Sequence, residues 1–462
     1  MSQSHDIVIC GAGIAGISAA YHLTVKHGIK DVVIVDERAP LSLTSDKSTE
    51  AYRNWWPDAA MVAMMNRSID LLEEMAHETG NIFNLNRRGY VYATADESRL
   101  ESFIESARKA EKAGAGELRI HSAETLHHST ETLHRNVSTS YAPHHAEGFE
   151  KNDGADLILD QNLIRQHFPY LSEKTIAVLH ARRCGWFSAQ TLGMWMLDQA
   201  KAHGAKLLNA KVTGVEVSRG RVEAVHAREK INCKYFVNAA GPLIKNIGAM
   251  IGVDLPIHHE LHTKISFADS LGCIPRDAPM LIWNDAQVPM WSDDERAMLR
   301  EDEATKWMTE KLAAGAHTRP EGLGASPIVL MLWDTHSRPV DLILPPKFDD
   351  SFPDLAMRGL ATMIPSLQKY FDRPPKPFVD GGYYTKTKEN RPLVGSHSVD
   401  GAYLIGAFSG YGLMCAPACG ELLAAHIAGS SLPSYAKDFE LARYDDSEYV
   451  KRLEKLGESG QL

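Results

Sequence analysis

The sequence predicts an α/β fold of two interleaved domains, and three observations predict it. A short apolar run, three spaced glycines, a helical stretch and a second apolar run ending in an acid open the chain. A strand-like run, a glycine-lined turn and an Ala- and Leu-rich helical stretch come near its end. Between these lie "RGYVYATA" (88–95), "LHTKISFA" (261–268) and "SPIVLMLWD" (326–334), rich in β-branched and aromatic residues, the composition of strands in a second sheet. At 462 residues the chain also exceeds what one compact core usually holds.

The opening element begins with Ile7, Val8, Ile9 and Cys10, a run suited to a buried parallel strand. Gly11, Gly13 and Gly16 follow in G-x-G-x-x-G spacing, then a helical stretch through Leu23. The run Val32 to Val35 ends in Asp36, 20 residues beyond the last glycine. Gly11 permits a tight turn, Gly13 lets backbone approach a pyrophosphate, and Gly16 lets helix and strand pack closely. The helix N-terminus offers unpaired N–H groups and a positive dipole end to the phosphates. Asp36 would accept hydrogen bonds from an adenosine ribose. A lone glycine motif is weak, but here strand, glycines, helix, strand and acid fall in order, so a bound dinucleotide is expected. Ala12, Ile14, Ala15, Glu37 and Arg38 would complete its contacts. The competing reading is a Gly-rich turn in a cofactor-free α/β protein.

Near the other end, Ala402 to Ile405 lead into Gly406, Ser409, Gly410 and Gly412 and then a helix. Its positive N-terminal end suits negative charge on the pyrimidine edge of a reduced flavin. In the middle, Gln190 to His203 read as a helix, and Tyr235 to Asn238 as a strand running into Ala239, Ala240 and Gly241. Small residues there let backbone approach a cofactor.

The order "GAGIAG", then "GWFSAQTL…GAKLLNAKVTGVE…YFVNAAGP", then "TKENRPLVG…GAYLIGAFSGYGLMCAPACGELLA" resembles the D-amino-acid oxidase family, which includes glycine oxidase, sarcosine oxidase and dimethylglycine dehydrogenase. The resemblance covers residues 5 to 60, 155 to 270 and 375 to 430. It implies a Rossmann-type FAD-binding domain with a second, mainly antiparallel β-sheet substrate domain (α+β) over the isoalloxazine. It implies oxidation of a C–N bond by hydride transfer to flavin N5, followed by hydrolysis of the imine. On this basis the FAD-binding domain is expected at 1–85, 155–256 and 385–430, the substrate domain at 86–154 and 257–384, and a helical tail at 431–462. Besides the N-terminal residues, Ser45, Lys47, Ser48, Thr49, Val212, Ala239, Ala240, Gly241, Gly410, Tyr411, Gly412, Leu413 and Met414 are expected at the cofactor.

The resemblance also gives the loop "TSDKSTEAYRNWWPD" (44–58) a role, since the loop after the second Rossmann strand passes the flavin. Arg53 falls where the sarcosine oxidase branch carries a substrate-carboxylate arginine. Some relatives attach FAD through a histidine in this loop; none occurs between His27 and His77, so non-covalent FAD is expected. Two departures weaken an amino-acid reading. Tyr384 stands where the glycine oxidase branch has an arginine, and Met414 stands where the sarcosine branch has a lysine. Arg391 could substitute as an anchor, with a structural salt bridge the alternative. Arg53, Tyr384, Tyr411 and Arg391 are therefore the expected substrate-site residues. Tyr52, Trp55 and Trp56 could join Tyr384 and Tyr411 in an aromatic pocket, or the tryptophans could pack between the domains.

The function expected is FAD-dependent oxidation of an amine or amino acid, secondary or N-methylated amines favoured, with O2 or another electron acceptor. Two alternatives stay open: tailoring oxidation of a larger cyclic or aromatic natural product, and a non-catalytic flavin-bound interaction protein. Oxidase against dehydrogenase, and oligomeric state, are also open. A formal charge of −10 without a long basic cluster argues against nucleic acid. Six cysteines without a repeated spacing read as reduced thiols, and no 18-residue apolar stretch predicts a membrane span, so a cytoplasmic location is expected. No metal is expected: the His pairs 127–128, 144–145 and 258–259, like Cys415 and Cys419, read as surface, hydrogen-bonded or packed residues. Residues 125–155 read as a long exposed connection. Residues 291–312 read as one amphipathic helix opened by a Ser292/Glu295 capping box, inside an insertion at 285–325 that packs on the sheet, acts as a lid or forms a subunit contact.

Overall fold

A computed structural model describes residues 3–122, 141–143, 148–149, 153–335 and 338–455. The expected connection at 125–155 and the His pairs at 127–128 and 144–145 fall largely or wholly outside these residues. Two large sheets carry the fold. In the first, the edge strand Lys206–Asn209 and the more buried Val32–Asp36, Gln3–Cys10 and Lys230–Asn238 pair in parallel. Ala402–Gly406 joins them in parallel beside Lys230–Asn238. Buried strands of this kind are apolar on both sides because helices cover both faces of a parallel sheet. Here Ile14–Tyr21, Ala59–Thr79, Ala189–Ala202 and Gly412–Ala428 bury one shared core, in which Cys415 and Cys419 are free thiols.

The second sheet has nine strands. Its pairs are antiparallel apart from Tyr90–Thr94 with Met280–Trp283 and Leu118–His121 with Ala155–Ile158. Two strands of this sheet correct the expected domain limits. Ala155–Ile158 and Ala177–Ala181 pair with each other in the second sheet, so the first domain does not resume at residue 155. A short apolar run such as "ADLI" fits either sheet, and only its non-local partners decide between them. A ribbon of Ala51–Arg53 against Cys184–Trp186 stands apart from both sheets.

The capping box is present, Ser292 and Glu295 bonding reciprocally. The helix runs only over Asp293–Glu301, with a separate 3-10 turn at Lys306–Thr309. It stops because Asp302 is extended and turns its carboxylate onto the Ala304 N–H, a local bond that competes with helix. Glu295 also pairs with the buried Arg358 of helix Phe352–Met363 at 2.5 Å, which docks the insertion against the second sheet's own helix.

Candidate active site

The glycine turn is built by close approach. Gly11 has φ +115°, and a Cβ there would collide with the Ala239 carbonyl. A Cβ on Gly16 would collide with the Gly11 carbonyl. A Cβ on Gly13 would meet only the Ser45 hydroxyl, at 3.4 Å. The turn is therefore packed against the first sheet on two sides and open on the third. Asp36 Oδ2 accepts from Ala12 N at 2.7 Å and Oδ1 from Arg38 N at 2.9 Å, so this acid also clamps the turn. Ser45 accepts from Ile14 N at 3.0 Å, tying the loop to the helix N-terminus.

A cavity of about 440 Å³ starts at this turn. Of the residues expected at the cofactor, Gly11 to Ala15, Asp36 to Arg38, Ser45, Lys47, Ser48, Thr49, Val212, Ala239 to Gly241, Gly410, Gly412 and Leu413 line it. Gly16 does not, being the helix-packing glycine. Tyr411 and Met414 do not line it either, and both are buried. Tyr411 corrects an expectation twice over: its hydroxyl donates to the Asn390 carbonyl and its ring meets Trp56 edge-on, so it is a packing residue. The Met414 carbonyl instead accepts from Ser68 at 2.5 Å. Arg391 is corrected as well, since it pairs with Asp58 and with Asp438 at 3.2 Å, a structural bridge that is not part of the cavity lining.

The loop 44–58 divides in two. Its first part, the turn Thr44–Lys47 with Ser48 and Thr49, lines the cavity. From Ala51 it is buried in the ribbon. Tyr52 donates to the Asn86 carbonyl at 2.6 Å, and Trp55 and Trp56 join the shared core, which places all three at the seam. Arg53, expected at the substrate site, does not line the cavity either: it is buried, donates to the Tyr92 hydroxyl at 2.8 Å and lies 4.2 Å from the Trp56 ring centroid. Its charge also acts on Tyr384 and on His317 of the second sheet.

The far end of the cavity is made by the second sheet. Tyr384, His262, Lys264, Leu332 and Leu344 line it, and the Tyr384 ring occupies the space a Gly410 side chain would need. Lys264 donates to the Ser48 carbonyl at 2.9 Å, and burial lowers its pKa. Burial raises the Tyr384 phenol and lowers His317 to about 4. The sequence reading missed Glu260, His262 and Lys264. They alternate along "HHELHTKISFA" with the buried Ile265 and Phe267, so a period-two split of that strand carries the signal.

A strand–glycine-turn–helix with an acid on the next strand, opening into a trough that ends on a second sheet, defines a two-domain dinucleotide-dependent protein. The open side of Gly13, the helix N-terminus and Asp36 fit a dinucleotide pyrophosphate and ribose. The family model for FAD dependent oxidoreductases matches residues 6–426, and the chain belongs to that family. Mitochondrial dimethylglycine dehydrogenase of Mus musculus is 23% identical over 453 residues, 96% of this chain and 44% of that protein. The chain thus spans less than half the length of that curated relative. Among solved structures, L-proline dehydrogenase from P. horikoshii is 21% identical with a TM-score of 0.70, covering 96% of this chain and 99% of that one. Glycine oxidase from Geobacillus kaustophilus is 13% identical, also with a TM-score of 0.70, covering 95% and 99%.

Proposed function

We propose that this chain oxidises a C–N bond of a small amine or amino acid, secondary or N-methylated amines favoured, with FAD held non-covalently. The observation that carries this reading is one cavity running from Asp36 and the glycine turn to His262 and Tyr384 of the second sheet. FAD, when bound, supplies the acceptor for the hydride lost from the substrate α-carbon. The chain's own residues bind, orient and keep water out. The Tyr384 ring closes the space beside Gly410, Leu344 and Leu332 give the end of the cavity apolar wall, and the charge of Arg53, buried off the lining, acts on Tyr384. O2 or another acceptor would take the electrons onward. The relatives' printed names, dimethylglycine dehydrogenase, L-proline dehydrogenase and glycine oxidase, all belong to C–N chemistry and support the reading. Six buried free cysteines support a reducing compartment such as the cytoplasm, which fractionation of expressing cells tests.

The test is direct. Purified protein should be yellow, should release its flavin on acid precipitation, and should bleach anaerobically with at least one member of an amine panel without added nicotinamide. Readmitting air then shows whether peroxide forms. A colourless protein that binds no FAD ends this reading. A flavin that no small amine bleaches moves the weight to a larger cyclic or aromatic substrate. That second reading draws on one observation: Arg391, the substitute anchor, pairs with Asp58 and Asp438 and does not line the cavity.

A further inference from the structure

Glu260, His262 and Lys264 alternate along strand His258–Ala268, the last two lining the cavity. The imidazole of His262 stacks on the Tyr384 ring, centroids 3.6 Å apart and planes 14° from parallel. Its Nε2 lies 3.2 Å from Glu260 Oε2 and 3.7 Å from Asp334 Oδ2. Its Nδ1 has no hydrogen-bond partner among the described residues. Glu260 is itself fixed, with Lys386 Nζ at 3.0 Å on the same oxygen and His258 at 3.3 Å on the other. Burial alone would raise the Glu260 carboxyl, but the hydrogen bonds from His262 and Lys386 outweigh it and bring the pKa to about 2. An ionised carboxylate on Nε2 selects the Nε2–H tautomer and leaves the Nδ1 lone pair available.

Glu260, His262 and Asp334 also come within 4.8 Å of one another, as metal ligands would. The Lys386 ammonium, however, already supplies the cation on the Glu260 oxygen that His262 approaches. A base is the better account. An amine bound as its ammonium cannot release hydride from the α-carbon until it loses a proton, because the nitrogen lone pair must stabilise the cation that forms.

We propose, resting on the C–N oxidation reading above, that His262 Nδ1 takes the ammonium proton of the bound amine before the C–H bond breaks. The substrate N–H bond breaks, its electron pair stays on the amine nitrogen, and a new N–H bond forms at Nδ1. Nothing is oxidised or reduced in this step. The imidazolium charge is offset by Glu260 and Asp334, and the proton later passes to solvent. Glu260, held by Lys386, is the positioning residue, and the Tyr384 ring fixes the imidazole plane.

The other titratable or charged groups around this ring do not compete. Lys264 on the same strand is bonded to the Ser48 carbonyl, and Lys386 on the adjacent strand to Glu260. Tyr384 is kept neutral by burial. His317, with a pKa of about 4, is too weak a base at neutral pH, and Arg53 stays cationic.

The experiment compares flavin-loaded wild type with His262→Ala in anaerobic flavin reduction by the fastest-bleaching amine, with and without added imidazole, from neutral pH to above the amine's own pKa. General-base catalysis is worth about 10²–10⁴-fold, so His262→Ala should bleach at least 100-fold more slowly near neutral pH. The rate should recover with imidazole and with rising pH, where the amine arrives neutral. An unchanged rate, or a loss that neither imidazole nor pH repairs, overturns the proposal while leaving C–N oxidation standing. A wild type that no amine bleaches overturns both. Should the alanine variant lose its flavin, His262→Asn is compared in the same way. A second readout does not depend on turnover. In ¹⁵N-histidine-labelled protein, one unprotonated ring nitrogen signal, absent from His262→Asn, should become protonated when the α-dimethyl analogue of that amine is added. A signal that stays unprotonated counts against His262.

Discussion

The guanidinium of Arg53 is almost fully buried, donates to Tyr92 and lies against Trp56, yet its charge still reaches Tyr384 and His317. A residue packed behind the lining and a carboxylate anchor predict different outcomes for Arg53→Met. For an anchor, loss of a charge-assisted bond costs about 1.5–3 kcal/mol, so KM for a carboxylated amine should rise tenfold or more with kcat less affected. An unchanged KM with a lower melting temperature is the outcome expected of its buried position and would assign Arg53 to packing alone. One buried and one half-buried histidine give a separate prediction about pH. Burial lowers His317 to about 4 and His22 to about 3, and neither His22 nitrogen has a hydrogen-bond partner among the described residues. The unfolded chain protonates both as pH falls below about 6.5, whereas the folded chain does not until those lower values. Their contribution is therefore fully present above about 6.5 and drains as pH falls toward 4 and 3, at up to about 1.4 kcal/mol per pH unit for each. Denaturant unfolding at pH 7, 6 and 5 checks this, and His22→Gln should flatten the slope.

At the scale of elements, helices Ile14–Tyr21 and Gly412–Ala428 bring their N-termini to the same cavity by packing closely against each other. The contact is at Gly420, where a Cβ would collide with the Ser18 hydroxyl, itself donating to the Ala416 carbonyl at 2.7 Å. Gly420→Ala overpacks this crossing and should cost about 1–3 kcal/mol, with weaker flavin retention because both termini shift. Thermal unfolding and flavin content after gel filtration would show it, and a variant with wild-type values in both would mean the crossing yields easily. These two helices were legible because glycines mark their starts and apolar composition runs their length. The strands at Tyr90–Thr94 and Ile328–Leu332, and the part of His258–Ala268 from residue 261 on, were legible from β-branched and aromatic runs. The stop at Asp302 was not, since an apolar period continues past it to Leu312 while the local side-chain bond at Asp302 decides the backbone. Nor was the sheet to which Ala155–Ile158 belongs, because a strand's partners are not written in the strand.

Over the whole molecule, the cavity takes one end from each sheet, and the two ends were unequally legible. The first sheet's end is contiguous in sequence: glycines, acid and helix sit within a few dozen residues. The second sheet's end gathers Glu260 and His262, Asp334, and Tyr384 with Lys386 from separate strands and the segment after one of them, so no short motif holds them. A cofactor bridging both ends should tie the sheets together, and its binding should appear as stability. At a free FAD concentration of 100 times Kd, linkage adds about 2.7 kcal/mol to unfolding. The glycines separate this term from the fold itself. Gly13 has φ −74° and room for a Cβ, so Gly13→Ala should unfold without FAD within about 0.5 kcal/mol of wild-type apoprotein. Its methyl group stands on the open side of the turn, where the pyrophosphate would approach, so the FAD-dependent gain should be largely lost. Gly11→Ala meets both a left-handed φ and the Ala239 carbonyl, and should lower the stability of the apoprotein as well. Denaturant melts of the three proteins with and without FAD test the pair. If Gly13→Ala keeps the full gain, the pyrophosphate does not lie on this turn, and the cofactor's course through the cavity must be redrawn.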